Sequence, residues 1–179
     1  MKKILLLLTV ITLVFSCKKE EKSENTIKTI EQIETIKNEF IVKVNFKTNI
    51  NDQFTLSLKN IKKDEFQTKT ISISENVTPT TSVDNITANF GDNISSNFNI
   101  NFGRKNTKTI FIESITLEYG DNLVNILSAD LEKHFRFSKY LSFDEASGEL
   151  TTKKIENRHI PIMFLKKATY NKLIKGNKK

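Results

Sequence analysis

The chain has 179 residues but no tryptophan, one cysteine, two prolines, five glycines and two histidines. A single cysteine, Cys17, excludes a disulfide within the chain. The histidines, His134 and His159, lack the spacing of a zinc site, so we expect each at a strand edge or in solvent. No GxSxG motif or other nucleophile signature is present. The sequence therefore predicts a protein that is not an enzyme and that uses no metal and no cofactor.

One turn of the sequence, at residues 144–149, is rich in acidic side chains. Asp144, Glu145 and Glu149 surround a glycine-containing turn and could hold Ca²⁺, which binds carboxylate oxygens. The spacing of an EF-hand is absent, and acidic side chains in turns normally face water. We therefore predict no metal there.

The first residues of the chain have the organisation of an export signal. Lys2 and Lys3 precede an apolar run from Ile4 to Phe15. This length fits the hydrophobic region of a secretory signal peptide and is too short for a comfortable transmembrane helix.

The residues around Cys17 resemble the lipobox of bacterial lipoproteins, with Val14 three positions and Ser16 one position before the cysteine. The resemblance implies that residues 1–16 are a cleaved signal peptide and that Cys17 carries lipid such as palmitate. Lys19 and the two glutamates after it resemble the signal that sends some lipoproteins to the outer face of the Gram-negative outer membrane. We expect an outer-membrane protein, lipid-anchored at the cell surface, with the periplasmic face as the alternative.

Residues 17–38 are polar after the cysteine and contain no glycine, proline or aromatic residue. An isoleucine recurs at every third position from Ile27 to Ile36, which could form a short apolar stripe on a helix. Isolated helices of this length are marginal in water. We interpret the segment as a flexible or partly helical tether, with a partner helix for the stripe as the alternative.

Residues 39–165 alternate between apolar and polar side chains in several short runs, for example from Phe40 to Phe46 and from Phe54 to Leu58. Such alternation predicts strands with one buried face, and the regular turn signals favour an all-β antiparallel β-sandwich. The many phenylalanines predict an aromatic core. The alternation slips at Glu113-Ser114, which indicates a β-bulge or a change of sheet. Residues 129–135 favour a short helix.

The run from Ser96 to Asn122 looks like a strand pair of jelly-roll domains similar to carbohydrate-binding modules. One strand ends in Phe102-Gly103, a polar hairpin covers residues 104–108, and the second strand begins at Ile110. The resemblance implies a jelly-roll-like sandwich with a glycan-binding or glycan-associated role.

Sugars are usually held by rings that combine an apolar face with a polar group. Without tryptophan, the tyrosines supply such rings, so Tyr119 and Tyr140, together with Arg136, are our candidate ligand-binding residues. We expect the three to lie on one concave face. The alternative for each tyrosine is ordinary half-buried packing.

The positive charge of the protein lies at the C-terminal end, where residues 153–179 contain nine basic residues and one acid. We place a basic tail at residues 166–179. It could lie along anionic lipid or acidic polysaccharide, or it could be a solvated, disordered end. No nucleic-acid-binding motif is present, and we expect no such partner.

Two functions fit these observations. The first is a lipid-anchored, non-enzymatic module that binds glycan. The alternative is a structural or assembly lipoprotein that holds a partner protein of an envelope complex through strand edges or the basic tail.

Overall fold

A computed structural model describes residues 38–61 and 68–176, apart from the side chains of residues 60, 61 and 68. These residues form two antiparallel β-sheets with few helices, which confirms the predicted all-β sandwich. The signal peptide at 1–16 and nearly all of the tether, including Cys17 and the isoleucine stripe, lie outside the described residues.

The strands are numbered in chain order and divide between two sheets. Sheet A has the order β4-β1-β6-β10-β9, and β7 pairs with β6 on the same side as β10. Sheet B has the order β3-β2-β5-β11-β8. The bounds in sheet A are β1 Phe40–Thr48, β4 Asp84–Asn89, β6 Thr109–Tyr119, β7 Asn122–Leu127, β9 Leu141–Asp144 and β10 Glu149–Thr152. Those in sheet B are β2 Asp52–Ile61, β3 Thr68–Val77, β5 Phe98–Asn101, β8 Phe135–Phe137 and β11 Ile162–Leu165.

The core lies between the sheets and is rich in phenylalanine, as predicted. Phe46 of β1 and Phe54 of β2 are buried, with ring centroids 5.1 Å apart across the two sheets. Phe40 meets Phe98 edge-on at 5.7 Å in the same way. Because alternate residues of a strand point inward, most of the outward positions are polar.

The predicted hairpin at residues 104–108 is wrong. Strand β5 belongs to sheet B and pairs with β2 and β11, whereas β6 belongs to sheet A. The connection therefore crosses from one sheet to the other. Both strands do bury one apolar face, but they bury it from opposite sides of the core.

The slip in alternation at Glu113-Ser114 is a β-bulge. Asn45 of β1 pairs with Ser114, while the next residue, Phe46, pairs with Ile112, so Glu113 is extra. Strand β6 stays in sheet A, and its inward face resumes at Ile115. The bulge thus restores the apolar face after one inserted residue.

Two helices follow the strands. Helix α1, Leu131–His134, comes after a 3-10 turn at Ser128–Asp130 and confirms the predicted short helix. Helix α2, Lys167–Lys175, lies within the segment that we predicted as a tail. It packs against β7 and β6 with Thr169 and Leu173 buried, so this part is a folded element rather than a solvated end.

Candidate functional site

On the outer face of sheet B, strands β3, β2 and β5 carry mostly uncharged side chains that can form hydrogen bonds. Because the inward positions of β2 are apolar, its outward positions are Gln53, Thr55, Ser57 and Lys59. Opposite them on β3 and β5 stand hydroxyl and carboxamide side chains, namely Thr70, Ser72, Ser74, Asn76, Asn99 and Asn101. Hydroxyls and carboxamides each donate and accept hydrogen bonds, so this face can act as donor and as acceptor towards a polar ligand.

Part of this face forms an open groove, the sheet-B groove, with a volume of about 540 Å³. Its floor includes Thr55 and Ser57 of β2 and Asn99 and Asn101 of β5. The groove is also lined by Gln53, Lys59, Thr70, Ile162 and the loop residues Gly103, Arg104 and Lys105. The groove crosses β2 and β5, and the hydroxyl and carboxamide groups of its floor can form hydrogen bonds with a polar chain that lies along it.

A buried ion pair holds the loop that ends this groove. Lys108 donates to the Asp52 carboxylate, and the two side chains are 0% and 2% exposed. The same ammonium donates to the carbonyl oxygen of Phe102 at 2.8 Å. The backbone of Lys108 exchanges two hydrogen bonds with Thr152, which attaches the loop to β10. The loop is therefore fixed to both sheets.

The ionised form of Asp52 is favoured in the fold. Burial by itself would raise the pKa of Asp52, but hydrogen bonds from Lys108 and from the backbone N–H of Gln53 outweigh burial and hold the pKa below its usual range. A buried charge is stable only when it is paired and hydrogen-bonded in this way.

Gly103 allows the loop to approach the ion pair. Its φ is +84°, and a Cβ at this position would lie 2.2 Å from the Asp52 carboxylate, closer than real atoms approach. The side-chain oxygen of Asn101 accepts a hydrogen bond from the Gly103 N–H at 3.0 Å, which turns the chain out of β5. Arg104 and Lys105 follow directly and are exposed beside the groove.

The structure does not bring Tyr119, Arg136 and Tyr140 together, so the expectation of one shared face is not met. Tyr119 ends β6 in sheet A, whereas Arg136 lies on β8 in sheet B. Tyr140 is 8% exposed, and its backbone carbonyl oxygen accepts a hydrogen bond from the N–H of Lys153, beyond the other end of β6. Strand β6 has 11 residues and is therefore about 35 Å long. Arg136 stacks over Phe164 at 5.9 Å, next to the polar face but outside the groove. For Tyr140, packing explains the residue.

His159 is only 6% exposed, so the prediction that it lies at a strand edge or in solvent is wrong. Its Nδ1 lies 3.1 Å from the carbonyl oxygen of Arg104, which connects the β10–β11 segment to the loop beside the groove. His134 lies 3.0 Å from the hydroxyl of Thr169 and so connects α1 with α2. Burial lowers the pKa of His134, and nearby lysines add to this effect.

The acidic turn uses its carboxylate internally. Asp144 accepts hydrogen bonds from the backbone N–H of Ala146 and the hydroxyl of Ser147, both at 3.0 Å, and these bonds lower its pKa. Among residues 38–61 and 68–176, no three acidic, histidine or cysteine side chains are grouped as a metal site.

A second cleft of about 400 Å³ lies at the start of β6, beside Phe111, Thr80 and Asn49. Two of its polar side chains, those of Asn49 and Thr80, hold the surrounding loops. Asn49 accepts from the N–H of Thr109 at 3.1 Å, and Thr80 donates to the carbonyl oxygen of Ser82 at 3.0 Å. The sheet-B groove, whose floor is continuous with a whole polar face, is the better candidate site.

No protein-family model matches the chain, and searches of curated proteins and of solved structures found no significant match. None of the helices in the described part of the chain has the length and apolar character needed to cross a membrane. The candidate site therefore depends on the geometry alone. Sequence reasoning missed it because it looked for aromatic rings, although the outward positions of β2 and β5 were visible in the alternation.

Proposed function

We propose that this protein is a lipid-anchored, non-enzymatic module of the cell envelope that binds glycan in the sheet-B groove. The observation that carries the proposal is the continuous set of hydroxyl and carboxamide side chains across β3, β2 and β5. A sugar chain presents hydroxyl groups along its length, and such groups pair with donors and acceptors of this kind.

Hydrogen bonds between β2 and β3 orient the side chains of β2 that form part of the groove floor. Thr55 and Ser74 share a hydrogen bond of 2.9 Å, as do Ser57 and Ser72. Each hydroxyl can make further hydrogen bonds, so these pairs orient the side chains without exhausting them. Fixed polar groups on strands lose little conformational freedom on binding, which favours affinity.

The test is a glycan array probed with protein expressed from the full-length sequence and with two matched double variants. Thr55→Val with Asn99→Leu removes two polar groups from the groove while preserving the side-chain shapes. Because each hydrogen bond contributes about 1 kcal/mol, we expect binding to weaken about tenfold or more. The control, Thr87→Val with Asn125→Leu, makes the same changes at exposed positions of sheet A and should bind normally. Equal loss in both variants, or no glycan bound by the parent protein, contradicts the proposal.

Anchoring is tested separately at Cys17. We expect Cys17→Ser to abolish incorporation of labelled fatty acid and to release the protein from the membrane fraction, because stable anchoring needs the acyl chains. An unmodified thiol in the mature parent protein contradicts this part of the proposal and leaves the groove unaffected.

One observation favours the alternative, a structural or assembly lipoprotein. Leu123 and Leu127 on the outer face of β7 are 57% and 54% exposed. They are four residues apart on one face of the strand, with Asn125 between them, and exposed apolar side chains on one face can contact a partner protein. Crosslinking in intact cells that captures one envelope protein, and is lost in Leu123→Ser with Leu127→Ser, would support this function.

A further inference from the structure

The charges along the sheet-B groove are not balanced. Among the described residues, four ionisable side chains line it, namely Lys59, Arg104, Lys105 and Asp52. The Asp52 carboxylate is buried and bound by Lys108, so its charge is neutralised inside the protein. The other three are exposed cations. None of them forms an ion pair with another residue of the described segments, 38–61 and 68–176.

These cations stand at the two ends of the groove. Strand β5 runs antiparallel to β2, and Gly103 lies against Asp52, so Arg104 and Lys105 are at the Gln53 end. Lys59 is at the opposite end, about 20 Å away along β2 at about 3.3 Å per residue. Between the ends stand the uncharged side chains of β2 and β5, four of them named above as the floor.

Two other surfaces in the described part of the chain carry charges of both signs. On the outer face of sheet A, Lys43 bonds to Glu118 at 2.7 Å. The second cleft is lined by Lys47 and Glu149, which have opposite charges. Arg104 and Lys105 therefore stand beside the groove without an ion-pair partner in the described segments, and the buried ion pair holds their loop in place.

We propose that the groove selects an anionic polysaccharide, a sugar chain bearing carboxylate or sulfate groups. This inference rests on the proposed glycan-binding function and specifies the class of ligand. The floor bonds to the sugar hydroxyls, while Arg104, Lys105 and Lys59 bind acidic groups spaced along the same chain. An arginine guanidinium offers paired donors that match the two oxygens of a carboxylate or sulfate.

The experiment measures binding of protein expressed from the full-length sequence to three soluble probes. Polygalacturonate carries carboxylates, dextran sulfate carries sulfates, and dextran is neutral. We expect at least one polyanion to bind more tightly than dextran, with an affinity that falls as salt is raised. The polyanion that binds identifies which acidic group the groove accepts.

Two double variants with the same change in net charge locate the binding. Arg104→Gln with Lys105→Gln should weaken polyanion binding at least about tenfold, since hydrogen bonds to charged groups are the strong ones. Lys172→Gln with Lys175→Gln, on exposed positions of α2, should leave it within about twofold. All four positions are exposed, so we expect both variants to fold, and their melting temperatures check this.

The outcomes separate this inference from the function it rests on. Equal losses in the two variants would mean attraction to general positive charge, and that result overturns the proposed selectivity. Dextran or other neutral glycans bound as tightly as the polyanions would also overturn it while leaving the glycan function intact. If neither neutral nor anionic glycans bind, both proposals fail.

Discussion

The two outer faces of the sandwich are built on the same alternation of residues but arrange their charges differently. On sheet A, Lys43 of β1 and Glu118 of β6 form an ion pair at the surface, so their charges offset one another. On sheet B, the acid nearest the groove is Asp52, and its partner Lys108 reaches it from inside the protein. Within residues 38–61 and 68–176, Lys59, Arg104 and Lys105 beside the groove therefore form no ion pair.

The proposed selectivity for anionic glycans depends on this difference in charge pairing rather than on composition. Both faces contain threonine, asparagine and lysine. Burying an acid beneath a loop removes its negative charge from the surface, whereas an exposed acid screens the lysine opposite. The buried pair has a second effect, because it also fixes the loop that carries Arg104 and Lys105.

The largest expected effect is the loss of the buried pair. Lys108→Met should lower the free energy of unfolding by about 3–5 kcal/mol, because the Asp52 carboxylate would remain buried without its partner. Urea denaturation measures the change. Adding Asp52→Asn to the variant removes the stranded charge and should recover part of the loss. A loss below about 1 kcal/mol for Lys108→Met would mean that this buried pair stabilises the fold no more than an exposed ion pair does. The two faces would then not differ in the strength of their ion pairs.

Gly103 gives a smaller effect with a matched control. Gly103→Ala combines a strained positive φ with a Cβ 2.2 Å from the Asp52 carboxylate. Gly91→Ala has a similar φ of +61° but no atom within 4 Å of the added Cβ. We expect about 1–2 kcal/mol of destabilisation at Gly91 from the backbone alone and a clearly larger loss at Gly103. Equal losses in urea denaturation would show that contact with the ion pair contributes nothing.

The same pair makes stability depend on acid. Since the pKa of Asp52 is lowered in the fold, its contribution is present above the ordinary carboxyl pKa of about 3.9 and is lost as pH falls through the folded-state value. We therefore expect the free energy of unfolding to decline below about pH 4. The decline should be shallower in Asp52→Asn. The pKa of Asp144 is also lowered, by hydrogen bonds in an exposed turn, so Asp144→Asn should make the decline shallower too, but by less because solvent screens these interactions. An unchanged slope in Asp52→Asn contradicts the assignment.

Local pattern was enough to predict most of this fold. The alternation of Phe40 to Phe46 identified an inward face, and its slip identified the bulge at Glu113. The alternation could not identify which strands pair in a sheet. A strand that faces another across the core has the same alternation as a strand that is hydrogen-bonded to it. That is why the segment after Phe102 was mistaken for a hairpin.

Other features needed information that lies far apart in the chain. Asp52 and Lys108 are 56 residues apart, and no local spacing relates them. Helix α2 did carry a local signal, since Thr169 and Leu173 are four residues apart on one face, but its many lysines suggested a solvated end. The groove itself follows from the order of β3, β2 and β5, which only the folded chain defines.

The smallest expected effect is on sheet A. Lys43→Met breaks an ion pair whose side chains are 46% and 25% exposed, so water already solvates both charges. We expect the free energy of unfolding to change by no more than about 0.5–1 kcal/mol, and the change should shrink further in high salt. Urea denaturation at low and high salt measures both. Lys43 lies on sheet A and does not line the groove, so the same variant should also leave polyanion binding in the sheet-B groove unchanged. A gain or loss of polyanion binding in Lys43→Met would mean that the ligand contacts both faces, and the contrast between them would no longer explain selectivity.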